Sequence, residues 1–329
     1  MELLHVKNLK VSCKTMLGEI NTVRGIDFQL YKGQVLAIVG ESGCGKTVTG
    51  KALMRLIEEP LEIKGGSVIY NGEDVFSMDE KQLKNLRGGE IGVIFQDSIT
   101  SLNPTMKIGE QIAENLIIHR GMKKADAFKE AVKILETVNI SNSIKRANQY
   151  PHELSGGMRQ KAAFAMAISC KPKILIADEP ATALDVISQS QILEILRTLK
   201  ENKEISIIII THDFALAADI SDNMMVMYAG QVVEKGTKSE ILDNPAHPYT
   251  RALLSSVNSL NEENKGILYS IPGTPQSIMN EIKECSFANR CSCCMEICVE
   301  ESPLRICLSE THEVMCWLKH PFAMEVDFD

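Results

Sequence analysis

The sequence has no hydrophobic run long enough to cross a membrane and no excess of basic residues. Its purely aliphatic runs reach about five residues, as in Val35–Val39, whereas a membrane-spanning helix needs about 20. A formal net charge of -8 argues against a general nucleic-acid binder, because such proteins present a basic face. The N-terminus has no basic stretch followed by an apolar run, so no secretory signal peptide is expected. These absences predict a cytoplasmic protein.

The length of 329 residues predicts either one large domain with an appendage or two domains. Internal repeats and low-complexity linkers are also missing from the sequence. Four short apolar runs share one pattern, and they are Val35–Val39, Ile91–Phe95, Ile174–Ala177 and Ile205–Ile210. Such runs are typical of strands buried on both faces of a parallel α/β sheet, although a buried helix segment would give the same run. Each run ends in a glycine loop or a polar side chain, which favours strands whose carboxyl ends converge on one ligand-binding edge.

The first run leads into GESGCGKT, which fits the pattern G-x-x-x-x-G-K-[ST] of a phosphate-binding loop. The loop consists of Gly40, Glu41, Ser42, Gly43, Cys44, Gly45, Lys46 and Thr47. Its backbone N–H groups would face the β-phosphate, Lys46 would reach the β/γ oxygens, and the Thr47 hydroxyl would bind Mg²⁺. A helix is expected from about Lys46 to Leu56, with its positive N-terminus at the phosphates. The Cys44 side chain is expected to contact little, because the backbone does the binding.

The third run ends in Asp178 and Glu179. A carboxylate at a strand end suits Mg²⁺ held through its water shell, and the neighbouring glutamate could act as general base for the attacking water. Between the two motifs lies LSGGM, which comprises Leu154, Ser155, Gly156, Gly157 and Met158. It precedes an Ala- and Met-rich stretch that predicts a buried helix from Arg159 to Cys170. Its hydroxyl and free amides could bind an anion, or Ser155 could act as an ordinary N-cap.

These motifs occur in the order found in the ATP-binding subunits of ABC transporters, and residues 1 to about 235 resemble that family. In the family's terms they are Walker A (Gly40–Thr47), the Q-loop glutamine (Gln96), the signature (Leu154–Met158), Walker B (Asp178, Glu179), the D-loop (Ala183–Asp185) and the switch histidine (His212). The resemblance implies an α/β P-loop ATPase fold with a mostly parallel sheet and N-terminal antiparallel strands. A helical subdomain is expected at about 97–155, where Ile108–Ile118 and Ala125–Val138 show helical spacing.

The resemblance also assigns roles. Glu179 and His212 would be catalytic, and Mg²⁺ would be held by Thr47, Gln96 and, through water, Asp178. ATP would be bound by the loop residues together with Gln96 and Asp178. Two such subunits pair head to tail in this family, so Ser155, Gly156 and Gly157, with Leu154, would serve the partner's ATP. The segment after Gln96, QDSITSLNP, is where relatives contact the membrane partner.

A second region, 236–329, resembles the C-terminal extension of importers for oligopeptides, dipeptides or nickel. The resemblance rests on HPYT (His247–Thr250), on IPGTP (Ile271–Pro275) and on the cysteines that follow. Pro248 suits the first turn of a helix. The family's usual adenine-stacking aromatic residue is replaced by Cys13, so no adenine contact is assigned.

Seven of the ten cysteines lie in the last 45 residues. In a reducing compartment such a cluster points to metal or catalysis before disulfides. The resemblance matches Cys285, Cys291, Cys298 and Cys316 to the ligands of a [4Fe–4S] cluster. Spacing alone leaves zinc and unligated thiols open, since Cys291, Cys294 and Cys298 also form a C-x₂-C-x₃-C run. Because the tail follows His212 by more than seventy residues, only an indirect effect on ATP hydrolysis is expected.

The sequence therefore predicts an ATPase subunit on the cytoplasmic face of the membrane that powers import of peptides or a related solute. Its expected partners are a second ATP-binding subunit, two transmembrane permease subunits and an external solute-binding protein, with no nucleic acid. A soluble ABC ATPase acting on nucleic acid or ribosomes is the alternative, although those relatives commonly carry two cassettes or a long coiled coil. A redox sensor with vestigial nucleotide binding is disfavoured by the intact Lys46, Asp178, Glu179 and His212.

Overall fold

The computed structural model describes residues 1–16, 18–96, 101–182, 184–258, 271–274, 283–321 and 323. The strands are β1 (Glu2–Thr15), β2 (Gly18–Tyr31), β3 (Val35–Val39), β4 (Leu61–Tyr70), β5 (Glu73–Asp74), β6 (Ile91–Ile94), β7 (Ile174–Asp178), β8 (Ser206–Thr211), β9 (Asn223–Tyr228), β10 (Gln231–Thr237), β11 (Arg305–Cys307) and β12 (Glu313–Met315). The helices are α1 (Lys46–Ala52), α2 (Glu80–Asn85), α3 (Ile108–Arg120), α4 (Lys124–Thr137), α5 (Ser143–Ala147), α6 (Gly156–Ile168), α7 (Val186–Asn202), α8 (Phe214–Ile220), α9 (Lys238–Asp243), α10 (Pro248–Asn258) and α11 (Glu296–Glu300).

The chain divides into two compact units, which are described separately. Unit 1 contains Met1–Leu3, Leu30–Val35 and Tyr70–Ile210, and unit 2 contains Leu4–Gln29, Leu36–Ile69 and Thr211–Asp329.

The sheet of unit 1 consists of β6, β7 and β8 in that order, all parallel. Ile94 lies opposite Ala177, and Ala177 lies opposite Ile209, so the carboxyl ends of the strands meet at one edge. All residues of β7 and β8 are buried, which explains their continuous apolar sequence. The prediction that these runs form parallel strands is confirmed, with bounds shifted by a residue or so.

Helices α3, α4 and α6 of unit 1 pack against one another. The helices predicted at Ile108–Ile118 and Ala125–Val138 are present as α3 and α4, with ends that differ by one or two residues. Helix α6 begins at Gly156 rather than Arg159 because Ser155 caps it: its Oγ accepts a hydrogen bond from the Met158 N–H at 3.4 Å.

Unit 2 contains β1 and β2, which are neighbours in a sheet with β4 beside β1. Only two residues connect β1 to β2, and hydrogen-bonded strands joined so closely run antiparallel, as predicted. A second sheet has the order β11-β12-β10-β9-β3, with β3 parallel to β9. The fully buried β3 leads directly into the predicted phosphate loop.

Part of the predicted C-terminal extension adds strands to this second sheet. β12 pairs antiparallel with β10, placing Val314 opposite Glu234, and β11 pairs with β12. Helix α10 begins at Pro248, as the sequence predicts. The division into domains 1–235 and 236–329 stays a prediction, because the two compact units follow a different partition of the chain.

Candidate nucleotide site

The predicted phosphate loop of unit 2 connects β3 to α1 with backbone conformations that require glycine. Gly40 and Gly45 have φ angles of 153° and 101°. A Cβ atom at Gly40 would meet the Met227 carbonyl oxygen, and one at Gly45 would lie 2.5 Å from the Thr22 carbonyl oxygen. The loop therefore lies against the backbone of neighbouring strands, and no larger residue fits at either glycine. Ser42 and Gly43 are exposed at the open side of the loop.

Lys46 is positioned at the start of α1 with its ammonium inside the loop. Its side chain is buried, and Nζ donates to the carbonyl oxygens of Gly40 at 2.8 Å and Glu41 at 2.9 Å. Thr47 follows it, half-buried. Helix α1 ends at Ala52, four residues before the predicted Leu56. The arrangement is that of a cationic loop whose amides and lysine can bind a polyphosphate.

The expectation that the Cys44 side chain contacts little is wrong. Cys44 is only 5% exposed, and its Sγ lies 3.8 Å from Lys46 Nζ. Burial raises the pKa of the Cys44 thiol, so the group stays neutral beside the lysine. Cys44 therefore fills the space beneath the loop, and its carbonyl oxygen also accepts a hydrogen bond from the Gly230 N–H at 3.1 Å.

In unit 1, Asp178 and Glu179 lie at the carboxyl end of β7, and both are buried. Glu179 has a φ angle of 50°, a left-handed conformation that is unusual for a residue other than glycine. Its backbone N–H donates to the Ile210 carbonyl oxygen at 2.8 Å, and its Oε2 accepts from Thr182 Oγ1 at 2.6 Å. Strain of this kind clusters at functional sites, where the surroundings fix it. The carboxylate is held in one orientation, as a general base requires.

The turn after Glu179 is tied to α6, because Gln160 Nε2 donates to the Pro180 carbonyl oxygen at 2.9 Å. The signature residues lie at the N-terminus of α6, the helix that contains Gln160. Leu154 is buried, Ser155 and Gly156 are exposed, and Gly157 is half-buried. A side chain at Gly157 would collide with Ser188, whereas one at Gly156 would meet open space. The predicted anion-binding end of α6 thus faces outward.

The remaining predicted residues occupy strand or helix ends. Gln96 is exposed two residues after β6, and the following segment 97–100 lies outside the described residues. His212 is exposed directly after β8, and Asp213 caps α8 by accepting from the N–H groups of Ala215 and Leu216. In the predicted D-loop Ala183 lies outside the described residues, and Asp185 caps α7. Pro275 of the IPGTP segment also lies outside them.

Sequence reasoning missed one set of residues in unit 2, namely the contacts of the C-terminal region with Glu41. Arg290 forms a two-pronged ion pair with the Glu41 carboxylate, with N–O distances of 2.7 and 2.9 Å. The Glu41 backbone N–H donates to Tyr249 Oη at 2.9 Å. The C-terminal region therefore contacts the predicted phosphate loop directly, while the expectation that it affects ATP hydrolysis only indirectly stays a prediction. No local pattern marks these contacts, since Arg290 lies 249 residues from Glu41.

The four predicted cluster cysteines lie near one another in unit 2. Cys298 and Cys316 are buried, and the Cys285 N–H donates to the Cys298 carbonyl oxygen at 2.8 Å. Burial, and then the neighbouring thiols Cys293, Cys316 and Cys285, raise the pKa of Cys291 to about 12. Within the described ranges, however, no group of three or more His, Cys, Asp or Glu side chains is arranged to hold a metal ion. The structure groups the thiols without a formed ligand set.

Comparison with known proteins identifies the class of this site. Residues 23–182 match the family described as ABC transporter, and residues 233–298 match the oligopeptide/dipeptide transporter C-terminal region. A dimeric ATP-binding cassette in a post-hydrolysis state, bound to ADP and phosphate, is similar in fold. Its TM-score is 0.65 at 26% identity, and the match covers 71% of this chain and 98% of that one. The site thus belongs to an ATP-hydrolysing cassette of the ABC class.

The curated relatives are more specific. The oligopeptide transport ATP-binding protein OppD of Bacillus subtilis is 50% identical, over 99% of this chain and 91% of its own length. OppD of Escherichia coli is 46% identical over 92% and 89%, and the dipeptide transport protein DppD of Bacillus subtilis is 43% identical over 97% and 95%. The chain belongs to the family of oligopeptide and dipeptide transport ATP-binding proteins. None of the helices in the described ranges is long and apolar enough to span a membrane.

Proposed function

We propose that this chain binds Mg·ATP at Gly40–Thr47 and hydrolyses it to drive the import of oligopeptides or dipeptides. Support comes from the curated relatives, which are named for oligopeptide and dipeptide transport. The observation that carries the chemical assignment is Glu179, buried at a strand end in a strained conformation with its carboxylate held by Thr182. Nickel or another solute remains the alternative cargo predicted from sequence.

In the proposed mechanism the loop amides and Lys46 bind the phosphates. By the family resemblance, Thr47, Gln96 and, through water, Asp178 would hold Mg²⁺, and the ion would supply positive charge to the phosphates. Glu179 accepts a proton from the attacking water, and His212 contacts the γ-phosphate. The hydroxyl of Thr182 donates to Glu179 Oε2 and so orients the carboxylate that would accept this proton.

We further propose that the chain pairs with a second ATP-binding subunit, most simply as a heterodimer. The exposed Ser155 and Gly156 at the N-terminus of α6 would then close on the partner's ATP. Two transmembrane permease subunits and an extracellular solute-binding protein complete the proposed importer. The chain would act at the cytoplasmic face of the membrane. Residues 1–235 would form its ATP-binding domain and residues 236–329 its C-terminal extension. The alternative of an ATPase acting on nucleic acid or ribosomes is not favoured, because the C-terminal region matches the peptide-transporter family.

The test compares Glu179→Gln with Lys46→Ala in the assembled transporter. Glu179→Gln keeps the shape and removes the base, so ATP binding should persist while turnover falls by about 10²–10⁴-fold. Lys46→Ala should weaken nucleotide binding itself. Steady-state hydrolysis and the dissociation constant for ATP separate the two effects. Near-normal hydrolysis in Glu179→Gln would contradict the assigned role.

We also propose that Cys285, Cys291, Cys298 and Cys316 hold a [4Fe–4S] cluster, with zinc as the alternative. Support comes from the thiol chemistry: the four cysteines are partly or fully buried, and neighbouring thiols among them influence one another's ionisation, while the described residues form no ligand set without the metal. Burial and the neighbouring thiols raise the pKa of Cys316 to about 12, so its ionisation as a ligand needs a cation nearby. The cluster would be structural, cross-linking the tail.

Protein purified without oxygen should then be brown, and metal analysis should find iron. Serine substitution at any of the four proposed ligands should remove the colour. Serine at Cys293, Cys294 or Cys307 should keep it, which makes these three the matched controls. One zinc and no iron per chain would contradict the cluster.

A further inference from the structure

The described part of the C-terminal region contacts the phosphate loop at Glu41. Each polar part of Glu41 has a partner within unit 2. Its carboxylate pairs with Arg290, its N–H donates to Tyr249 Oη, and its carbonyl oxygen accepts from Lys46. Glu41 is the second residue of the loop, directly after Gly40, whose strained conformation starts the turn. Fixing Glu41 therefore fixes the path of the loop at its beginning.

Arg290 is itself immobilised. Its side chain is 6% exposed. Nε donates to the Pro272 carbonyl oxygen at 2.8 Å, Nη2 to the Ile271 carbonyl oxygen at 3.4 Å, and Nη1 to Tyr228 Oη at 3.3 Å. A guanidinium offers five donors in a rigid plane, and this one uses them all around a bidentate carboxylate contact. A lysine could not reproduce that arrangement.

Tyr249 is equally fixed. It is fully buried, with its ring 4.7 Å from that of Tyr228 and 5.3 Å from that of Phe287. The guanidinium carbon of Arg290 lies 5.7 Å from the centre of the Tyr228 ring. Both contacts to Glu41 thus come from one packed aromatic group, which links β9, α10 and the segment before Cys291.

We propose that the C-terminal region braces the phosphate loop, with Arg290 and Tyr249 as positioning residues for ATP binding. The HPYT and IPG segments then have a shared physical role: Tyr249 fixes the Glu41 backbone, and the carbonyl groups of Ile271 and Pro272 orient Arg290. Arg290 also neutralises a carboxylate beside the phosphate site, where an unpaired negative charge would repel ATP. Binding is linked reciprocally, so ATP should in turn stabilise the docked C-terminal region. This inference rests on the proposed assignment of Gly40–Thr47 as the phosphate site.

The test measures the affinity of the purified full-length protein for a non-hydrolysable ATP analogue in the presence of Mg²⁺. Arg290→Met should weaken binding about tenfold, the order expected for losing a charge-assisted contact. In the transporter it should raise the KM for ATP with little change in kcat. The same substitution in a Glu41→Gln background should change the affinity less than about twofold, because Arg290 acts through that carboxylate.

The matched control is Arg305→Met. Arg305 also joins the C-terminal region to the rest of unit 2, through an ion pair with Asp27 at 3.1 Å, but it does not contact the loop. It should keep wild-type affinity. Tyr249→Phe removes only the hydroxyl that accepts from Glu41 and should weaken binding; it decides the question if Arg290→Met does not fold.

Wild-type affinity in Arg290→Met or, failing its folding, in Tyr249→Phe would overturn the brace. So would an equal loss in Arg305→Met, or an undiminished loss in the Glu41→Gln background. Lys46→Ala distinguishes failure of the brace from failure of the site: retained binding in Lys46→Ala would refute the phosphate-site assignment itself.

Discussion

Glu234 connects the C-terminal region to the second sheet of unit 2, and its removal gives a sharp prediction for stability. Glu234 is 1% exposed, and its carboxylate accepts hydrogen bonds from the N–H groups of Ala246 at 2.7 Å and His247 at 3.0 Å. His312 Nε2 lies 2.8 Å from the same carboxylate. A bulge in β10 between Val232 and Glu234 breaks the alternation of the strand, so that consecutive residues point inward.

Glu234→Ala leaves two buried backbone N–H groups without their acceptor. Each such group costs about 1–3 kcal/mol, so the substitution should lower the free energy of unfolding by about 2–6 kcal/mol. Glu234→Gln retains one carbonyl oxygen and should lose roughly half of that. Because Tyr249 follows these residues closely, the same variants should also weaken ATP binding.

The sequence contains one tryptophan, Trp317, whose Nε1 donates to the Glu301 carbonyl oxygen within the C-terminal region. Urea unfolding followed by its fluorescence therefore reports on this region directly. Glu313→Ala, which removes partly exposed ion pairs with Lys235 and Arg305, is the control and should cost about 0–1 kcal/mol. A loss in Glu234→Ala no larger than that of the control would refute the reasoning.

Three further predictions follow from individual residues. Gly45→Ala should abolish ATP binding, because its Cβ would collide with the Thr22 carbonyl oxygen and a φ of 101° disfavours alanine; equilibrium binding of ATP checks this. Ser155→Arg should impair hydrolysis at the site whose phosphate loop belongs to the partner, while the chain's own loop still binds ATP; site-specific photolabelling with azido-ATP checks this, and loss of label only at the chain's own loop would contradict the shared site. Burial, followed by Arg251, lowers the pKa of His247 to about 3, so stability is complete above pH 6.5 and falls as the pH decreases towards 3. His247→Asn should flatten the dependence of the melting temperature on pH in that window, and an unchanged slope would count against it.

Local sequence patterns predicted the glycine-dependent loop and the buried strands of this protein, for a physical reason. A phosphate loop depends on contiguous backbone conformation, so glycines at Gly40 and Gly45 followed by Lys46 suffice to mark it. The apolar runs of β7 and β8 likewise predicted their burial, because a strand covered on both faces has no polar alternation. The role of Glu179, proposed from its place at a strand end, and that of His212, implied by the family resemblance, stay predictions.

Only the tertiary structure decided which side chains are buried and which contact residues far along the chain. Cys44 looked peripheral in sequence, but the fold buries it beneath Lys46. No local pattern predicted the contacts of Arg290 and Tyr249 with Glu41, since ion pairs and hydrogen bonds across more than 200 residues depend on how the intervening strands and helices pack. The sequence by itself determined the glycines and the lysine that predict a phosphate loop, whereas only the fold brought Arg290 and Tyr249 into contact with that loop.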